Sequence, residues 1–261
     1  MKTVLSIAGS DSGGGAGIQA DLKTFEYFGV FGTTAITALT AQNTCGVQGV
    51  YPVESSFVQK QIESILDDFD IKAIKIGMLF SAQIIKTTRE ILEQANNKIP
   101  IVLDTVAVTN TGDRLLEDSA LEELKALLPL ATLITPNRKE LQLLLDKDSA
   151  VDANYIYTKC FDIRKKLGVD VLAKNFKESG NSADYLLQKE GLKKYGSKFI
   201  DSKNTHGTGC TYSSAIAANL ALGLSLDESI KKSKQYIESA IEYAPNIGKC
   251  GGPIRHNLLK K

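Results

Sequence analysis

Residues 204–223 organise the chain and read NTHGTGCTYSSAIAANLALG. The run of small residues from Ser213 onward predicts a tightly packed helix. Gly207 and Gly209 would then lie at the N-terminus of this helix, where backbone N–H groups have no intrahelical partner and the helix dipole is positive. Such a turn can hold a phosphoryl group against the backbone, so the segment predicts an anion-binding site.

Cys210 would lie in the first turn of this helix, where the pKa of a thiol tends to fall. The simpler interpretation is that Gly207-Thr208-Gly209 is a loop without chemistry and that Cys210 is a small buried apolar residue. Short glycine motifs match by accident, so the rest of the chain has to decide between the two.

Composition is that of an ordinary globular protein, with 261 residues, 43% of them hydrophobic and 23% charged. The 31 basic and 30 acidic residues give a net charge of +1, which indicates neither a nucleic-acid nor a membrane partner. The N-terminus passes from a short strand directly into glycines, so a signal peptide is not expected. The cysteines at positions 45, 160, 210 and 250 contain no C-x-x-C pair, and a reducing cytoplasm is the natural expectation.

The hydrophobic pattern predicts alternating strands and helices. The predicted strands are residues 4–8, 33–40, 47–53, 73–77, 99–103, 132–135 and 169–173, and the helices between them are 18–28, 56–69, 82–96, 115–128, 138–145 and 152–167. Residues 183–188, 192–195 and 198–200 predict an antiparallel meander at the sheet edge, before helices 210–222 and 226–243. This order predicts one domain over residues 1–261, with helices on both faces of a mostly parallel sheet.

Polar residues follow several predicted strands, at the edge where open α/β sheets bind ligands. They are the glycine loop 9–17, Gln42, Asn43, Asp104, Asn137, Glu140 and Lys174, and the apolar Met78 follows the strand 73–77 at the same edge. The loop contains Gly15-Ala16-Gly17, a loose dinucleotide-type match, but residues 33–43 contain no Asp or Glu to bind a ribose, so NAD is rejected. A P-loop sequence is absent as well.

Three of these residues suit phosphoryl chemistry. Carboxylates placed like Asp104 and Glu140 suit Mg²⁺, and Lys174 could carry a positive charge for a phosphate. Taken singly, each residue has a simpler interpretation: Asp104 would be a helix cap, Glu140 an exposed glutamate in the first turn of a helix, and Lys174 a solvated lysine. Asp21, within the first helix, reads by default as part of a solvated face.

The chain resembles the hydroxymethylpyrimidine/phosphomethylpyrimidine kinases of thiamine biosynthesis, within the ribokinase-like superfamily. The matching segments are residues 8–23, 37–44, 75–79, 112–116, 135–137 and 205–211, and the resemblance runs over nearly the whole chain. It implies an α/β three-layer sandwich whose mostly parallel central sheet has an antiparallel edge. It also implies a cytoplasmic homodimer that uses ATP and Mg²⁺ to phosphorylate 4-amino-5-hydroxymethyl-2-methylpyrimidine and its monophosphate.

The resemblance implies a role for each site residue. Asp21 and Gln42 would hydrogen-bond the aminopyrimidine, in a pocket completed by Gly9, Met78 and Val106. The nucleotide would contact Thr135, Asn137, Lys174 and Thr208, and the metal Asp104 and Glu140. The catalytic set would be Gly207, Thr208, Gly209, Cys210 and Lys174.

Cys210 stands where most ribokinase relatives have an aspartate base, and the pyrimidine kinases carry cysteine there. We therefore expect Cys210 to accept or relay the hydroxymethyl proton, while Mg²⁺, Lys174 and the amides of the glycine turn hold the charge.

Three positions depart from the family pattern. Asn175-Phe176-Lys177 replaces the usual Gly-Gly-His after Lys174, Ala107 replaces a Met, and Cys250 replaces a common Gly. One alternative is a pyridoxal or pyridoxine kinase, since some relatives with this cysteine loop look like B6 kinases. The other is a non-catalytic pyrimidine-binding regulator, for which the substituted segment is the only support.

Overall fold

The computed structural model describes residues 1–95, 99–106, 120–147, 151–178 and 180–258. The strands there are β1 (Thr3–Asp11), β2 (Phe31–Asn43), β3 (Gly46–Pro52), β4 (Ile71–Ile76), β5 (Ile101–Leu103), β6 (Leu133–Ile134), β7 (Asp170–Glu178), β8 (Asn181–Gln188) and β9 (Gly191–Lys198). The helices are α1 (Gly17–Phe28), α2 (Ser55–Asp68), α3 (Ala82–Gln94), α4 (Ala120–Leu127), α5 (Arg138–Leu144), α6 (Ala153–Leu167), α7 (Thr208–Ala221) and α8 (Leu226–Glu242).

The strands form one sheet in the order β3-β2-β1-β4-β5-β6-β7-β8-β9. Pairs from β2 through β7 are parallel, with Ile7 of β1 opposite Ala35 on one side and Ile76 on the other. The meander β7-β8-β9 is antiparallel, as predicted. Strand β3 is antiparallel to β2 as well, because a two-residue turn joins them and only antiparallel strands can be connected so tightly.

Two hydrophobic cores cover the two faces of the sheet. Successive residues of a strand point to opposite faces, so Val4 of β1 packs in the core that contains Phe25 and Ile216. Leu5 packs in the other core, with Ile62 of α2. The predicted three-layer α/β sandwich is therefore confirmed.

Most predicted bounds agree with the structure to within a few residues. The predicted separate strand at 198–200 is wrong: β9 runs unbroken to Lys198 and ends there. Strand β7 continues to Glu178, well beyond its predicted end, because it pairs with β8 as far as Asn181. The start of the predicted helix 115–128, the motif 112–116 and Ala107 lie outside the described residues.

The C-terminal segment is fixed against the turn between β2 and β3. Cys45 in that turn and Cys250 form a disulfide, and the backbone N–H groups of Lys249 and Cys250 donate to Thr44. The spacing of the cysteines did not predict this pair, because the partners are 205 residues apart and meet only in the fold. Within the ranges given above, no helix is both long and apolar enough to cross a membrane.

Candidate active site

A cavity of about 530 Å³ opens at the carboxyl ends of the parallel strands. Twelve of the fourteen predicted site residues line it: Gly9, Gln42, Met78, Asp104, Val106, Asn137, Glu140, Lys174, Gly207, Thr208, Gly209 and Cys210. The two that do not are Thr135 and Asp21, which lie behind its wall. The cavity has the size and mixed lining of a small-molecule site.

The glycine turn lies at the N-terminus of α7, as predicted. Gly207 has a left-handed backbone with φ of +79°, and a Cβ there would overlap the carbonyl oxygen of Gly15. Only glycine therefore lets the turn pack against the backbone of the glycine loop after β1. The N–H of Thr208 donates to the carbonyl oxygen of Thr205, and Gly207 has no side chain to cap the helix, so the N–H groups of Gly209 and Cys210 are the ones that can face an anion.

A buried ion pair lies beside this turn. The ammonium of Lys174 lies 2.6 Å from Oδ1 of Asp104, and the hydroxyl of Thr135 donates to the same oxygen from 2.9 Å. Burial opposes ionisation of Asp104, yet the charges of Lys174 and Lys75 hold its pKa below the usual value. Thr135 does not line the cavity and contacts Asp104 instead. Its predicted contact with the nucleotide would therefore have to act through Asp104.

Glu140 is the second carboxylate at this edge. Asn137 and Glu140 form a reciprocal cap at the start of α5, in which the backbone N–H of Asn137 donates to Oε2 of Glu140. The hydroxyl of Thr105 donates to the same Oε2 from 3.3 Å. Burial raises the pKa of Glu140 to about 7, with Lys174 opposing the shift and Asp104 adding to it.

The two carboxylates fit a magnesium ion bound largely by water and phosphate oxygens. The described residues contain no group of three or more His, Cys, Asp or Glu side chains able to hold a metal alone. Mg²⁺ commonly binds through one or two carboxylates together with substrate phosphates. Asp104 and Glu140, which both line the cavity, would supply that number of ligands, and the charge of Asp104 opposes the ionisation of Glu140.

Cys210 lies in the first turn of α7, but the predicted fall in its pKa is wrong. Burial raises the pKa of the thiol to about 11; the charge of Lys75 opposes this, while Asp21 and Asp104 add to it. The helix N-terminus does not outweigh the loss of solvent and two nearby carboxylates. Cys210 is therefore a neutral thiol at physiological pH.

Asp21 lies beneath the cavity and is fully buried. Its carboxylate accepts hydrogen bonds from Ser6, from Ser214 and, at 2.8 and 2.9 Å, from the ammonium of Lys75. The predicted contact with the pyrimidine is thus replaced by a supporting position that joins β1, β4, α1 and α7. Lys75, also fully buried, was missed; its one signal is a lysine within the apolar strand IKAIKI.

An apolar slot lies on the Gln42 side of the cavity. Met78 packs with Ala38 and Val106, and a Cβ on Gly9 would lie 2.5 Å from the terminal methyl of Met78. Glycine at position 9 therefore leaves room for the methionine. A slot of this kind, with a polar amide at one edge, suits a flat heteroaromatic ring.

Other residues of the site were not predicted from the sequence. Asp11 accepts hydrogen bonds from the N–H groups of Gly13, Gly15 and Ala16 and from His206, and so shapes the glycine loop. On the far side, Asp184 is bonded by Lys234 at 2.7 Å and by Tyr212 at 3.2 Å. The role of Asp11 could have been predicted, because an aspartate in a glycine-rich turn commonly accepts backbone hydrogen bonds. The role of Asp184 could not, because its partners Tyr212 and Lys234 lie on helices far away in sequence.

The substituted segment after Lys174 lies within β7, at a register shift between Ala173 and Phe176. Asn175 has φ of 67°, a conformation that glycine and asparagine tolerate best, and its N–H donates to Asp184. Phe176 is buried edge-on against Tyr185, and the ammonium of Lys177 lies 4.1 Å from the ring centre of Phe199. The departure from Gly-Gly-His is therefore accommodated without disrupting the cavity wall.

Taken together, fold and site define a small-molecule phosphotransferase of the ribokinase-like class. The uncapped amides of Gly209 and Cys210 face a lysine and two carboxylates, next to a slot for a ring. A family model described as phosphomethylpyrimidine kinase matches residues 11–255. The chain belongs to the phosphomethylpyrimidine kinase family, which confirms the family and the class of enzyme predicted from the sequence.

Individual relatives support the same assignment. The hydroxymethylpyrimidine/phosphomethylpyrimidine kinase of Salmonella typhimurium is 41% identical over 256 residues, covering 97% of this chain and 96% of the relative. A crystal structure of phosphomethylpyrimidine kinase from Clostridium difficile 630 gives a TM-score of 0.80 at 40% identity, covering 92% of this chain and all of that one. An ADP complex of Bacillus subtilis pyridoxal kinase gives 0.86 at 34% identity, covering 98% and 97%.

Proposed function

We propose that the protein transfers the γ-phosphoryl group of ATP to 4-amino-5-hydroxymethyl-2-methylpyrimidine, and then to its monophosphate, in thiamine biosynthesis. The observation that carries this proposal is the adjacency of two features in one cavity: the slot of Gly9, Met78 and Gln42, and the glycine turn that ends at Cys210. A ring in the slot would direct its hydroxymethyl group toward the turn. Membership of the family and the ADP complex of a related kinase support both substrates.

The chain's own groups stabilise charge on the transferring phosphoryl group. The amides at the start of α7 and the ammonium of Lys174 face the same part of the cavity. A Mg²⁺ ion held by Asp104 and Glu140 would neutralise charge on the phosphates as the bond to the leaving oxygen breaks.

Cys210 serves as a proton relay rather than as a strong base. A thiol with a pKa of about 11 takes no proton from an alcohol in the ground state. Phosphoryl transfer passes through a loose transition state, in which the attacking oxygen becomes acidic only as its bond to phosphorus forms. At that late stage the sulfur can accept the alcohol proton while its own S–H proton passes to an oxygen of the transferring phosphoryl group, so that Cys210 ends the step as the neutral thiol it began as.

The exposed apolar residues of the β2–β3 edge favour a homodimer. Leu39 and Tyr51 lie opposite each other on the paired strands and are 46% and 71% exposed, and Phe57 at the start of α2 is 57% exposed. A second copy of the chain would cover this edge, which is otherwise open to unwanted strand pairing. Light scattering should give twice the chain mass, and Tyr51→Glu with Leu39→Glu should give one chain mass. The enzyme would work in the cytoplasm, where ATP is supplied, although the Cys45–Cys250 disulfide departs from the reduced cysteines expected of that compartment.

The experiment is identification of products by mass spectrometry after incubation with Mg²⁺, ATP and hydroxymethylpyrimidine. The proposal expects the monophosphate first and the diphosphate later. The Gly209→Ala variant is the matched negative variant, because it should fold normally and form both products more slowly than the wild type. Absence of both products from the wild type, under conditions in which ATP binds, would overturn the proposal.

Pyridoxal phosphorylation is the second candidate, since the pyridoxal kinase of Bacillus subtilis has the higher TM-score. The phosphomethylpyrimidine kinase of Clostridium difficile has the higher sequence identity, which favours the pyrimidine. Backbone similarity reflects the shared fold, whereas substrate choice depends on side chains. We therefore rank the pyrimidine first and make pyridoxal a competing substrate in the assays. The only support for a regulator that binds pyrimidine without turnover was the segment Asn175-Phe176-Lys177. That support is weakened, because the fold accommodates Asn175 at a positive φ and bonds its N–H to Asp184.

A further inference from the structure

The Cys45–Cys250 disulfide lies at the surface, and both of its cysteines are exposed. Cys45 lies in the turn directly after β2, the strand that carries Gln42 into the lining of the cavity, and its N–H donates to Oδ1 of Asn43 at 2.9 Å. Exposed disulfides are the ones that exchange readily with thiols in solution. The bond is therefore open to reduction at a place next to the slot.

The other half of the bond leads to the glycine turn of α7. Beyond Cys250, the N–H of Gly252 donates to Oδ1 of Asn204 at 2.9 Å, and the carbonyl oxygen of Gly252 accepts from the N–H of His206 at 3.1 Å. His206 directly precedes Gly207. The disulfide thus joins the strand end beside the slot to the segment that leads into the glycine turn.

The hydrogen bonds at this junction are weak. The N–H groups of Lys249 and Cys250 donate to the hydroxyl oxygen of Thr44 from 3.2 and 3.4 Å, and both bonds are exposed to solvent. Exposed hydrogen bonds of this length add little stability, because water replaces them readily. Breaking the disulfide should therefore release the β2–β3 turn from the C-terminal segment.

Both sides of the junction keep anchors that do not depend on the disulfide. The hydroxyl of Ser12 donates to the carbonyl oxygen of Gln42 and accepts from the N–H of Gln42, each at 2.8 Å. On the other side, the hydroxyl of the buried Tyr236 donates to the carbonyl oxygen of His256 at 2.7 Å. Loss of the disulfide should therefore loosen the edge of the slot and leave the rest of the cavity in place.

We propose that Cys45 and Cys250 form a thiol–disulfide exchange site that sets the affinity of the slot for the pyrimidine, which is high in the oxidised protein and lower in the reduced one. This inference rests on the proposed function and adds a redox control to it. A ligand in the slot has to order the slot edge, and the disulfide has already restricted that edge. Because Ser12 holds Gln42 in either state, we expect reduction to weaken pyrimidine binding by roughly three- to tenfold.

The exchange consumes one dithiol for each disulfide. A thiolate of the dithiol attacks one cysteine sulfur, the bond between Cys45 and Cys250 breaks, and the released thiolate takes up a proton. The second thiol of the dithiol loses its proton and attacks its own mixed disulfide, which frees the other cysteine to take up that proton. Two electrons pass from the dithiol to the cysteine pair. The reduced state is the one that a reducing cytoplasm favours.

The test measures the binding of hydroxymethylpyrimidine and, separately, of ADP by calorimetry, with and without dithiothreitol and well below the melting temperature. Alkylation after unfolding reports the redox state: the oxidised protein should be labelled at Cys160 and Cys210 only, and the reduced protein at all four cysteines. Cys250→Ser keeps the junction open without reductant. Cys160→Ala is the matched control, because it removes a buried free thiol of α6 and leaves the pair intact.

We expect the dissociation constant of the pyrimidine to rise roughly three- to tenfold on reduction of the wild type and of Cys160→Ala. In Cys250→Ser it should have the higher value with or without reductant. The dissociation constant of ADP should stay the same throughout. An unchanged constant for the pyrimidine would overturn the inference, and so would an equal weakening of ADP, because a general loosening of the fold would affect both ligands.

Hydrogen exchange gives a readout that needs no ligand. On reduction, the backbone amides of residues 44–46 and 248–250 should exchange faster, while those of residues 211–216 in α7 should not change. Equal exchange in the two redox states would overturn the inference. A wild type that binds no pyrimidine in either state, yet loosens at these residues on reduction, would overturn the proposed function and keep the redox-sensitive junction.

Discussion

The ammonium of Lys174 lies 2.6 Å from Oδ1 of Asp104, and both groups lie beneath Gly209, the middle glycine of the turn. A Cβ on Gly209 would lie 3.4 Å from Oδ2 of Asp104 and 3.5 Å from the lysine nitrogen. The ion pair and the helix amides therefore bound the same small volume. An incoming phosphoryl group would share the lysine with the aspartate rather than meet an unpaired cation.

Lys174→Met should lower kcat by roughly a hundred- to a thousandfold, which is typical for loss of a group that stabilises transition-state charge. Affinity for the pyrimidine should change little, because the slot lies on the other side of the cavity. Steady-state kinetics and calorimetry measure the two effects. Lys166→Met, at an exposed ion pair with Asp146, is the control and should match the wild type. Equal losses in kcat and in pyrimidine affinity would contradict the assignment.

Alanine at the two glycines of the turn should have different consequences. Gly207→Ala requires a left-handed alanine that overlaps a backbone carbonyl, so the melting temperature should fall by several degrees and activity should be lost with it. Gly209→Ala meets only ordinary contacts, so the protein should fold normally while kcat falls, because the methyl group covers the ion pair. Thermal melts and kinetics on both variants decide this. A stable, fully active Gly209→Ala would count against the anion site.

Magnesium activation should depend on pH through Glu140. The pKa of this carboxyl is raised to about 7, so it binds cations better as pH rises from 6 to 8, and the Mg²⁺ concentration for half-maximal activity should fall over that range. Glu140→Gln should bind Mg²⁺ poorly and remove the pH dependence. A titration of activity against Mg²⁺ at several pH values measures both effects. A wild-type midpoint independent of pH would exclude Glu140 as the titrating ligand.

The raised pKa of the Glu140 carboxyl also predicts how the free energy of unfolding changes with pH. Because the folded pKa exceeds the ordinary value of 4.5, the folded state holds the proton longer than the unfolded state. The Glu140 contribution to the free energy of unfolding should therefore decrease as pH rises from about 4.5 to about 7. Denaturant unfolding across that window should show a smaller decrease for Glu140→Gln than for the wild type. A larger decrease would reverse the assignment.

Cys210→Ala should reduce turnover much more than substrate affinity, because the sulfur acts on the proton and not on the ring. Iodoacetamide should label Cys210 slowly at neutral pH and faster above pH 9, as expected for a thiol with a pKa of about 11. Mass spectrometry follows the labelling. Unchanged turnover in Cys210→Ala would dismiss the relay, and rapid labelling at pH 7 would show a thiolate instead.

Reduction of the Cys45–Cys250 bond should destabilise the protein. The bond closes a loop across 205 residues, and disulfides typically contribute about 2–4 kcal/mol by restricting the unfolded chain. Dithiothreitol should lower the melting temperature of the wild type, and Cys45→Ser should melt at the same lower temperature with or without reductant. If Cys45→Ser melted at the same temperature as the oxidised wild type, the disulfide would not stabilise the protein.

Much of the fold could be predicted because the strand and helix patterns are local. Alternation of strands and helices, the Gly29 helix end and the helix after Gly209 all follow from neighbouring residues. Features that depend on distant partners could not be predicted. The disulfide and the buried Lys75–Asp21 pair each join segments that only the folded chain brings together.

The site was predicted in outline for the same reason. Motifs placed Gln42, Lys174 and the glycine turn at one sheet edge, where they do lie. The pKa of Cys210 was misjudged, because burial and the neighbouring carboxylates are tertiary effects that a helix terminus does not reveal. Asp21 was misplaced because a helix position does not show whether its side chain turns into the cavity or beneath it.

The most direct test of the central claim is a coupled assay of ADP formation with Mg²⁺ and ATP. Hydroxymethylpyrimidine, its monophosphate and pyridoxal would be offered separately, and kcat/KM compared. The structure and the family predict turnover of both pyrimidines with pyridoxal much poorer. A higher kcat/KM for pyridoxal, or no turnover of either pyrimidine by a protein that binds ATP, would contradict the account.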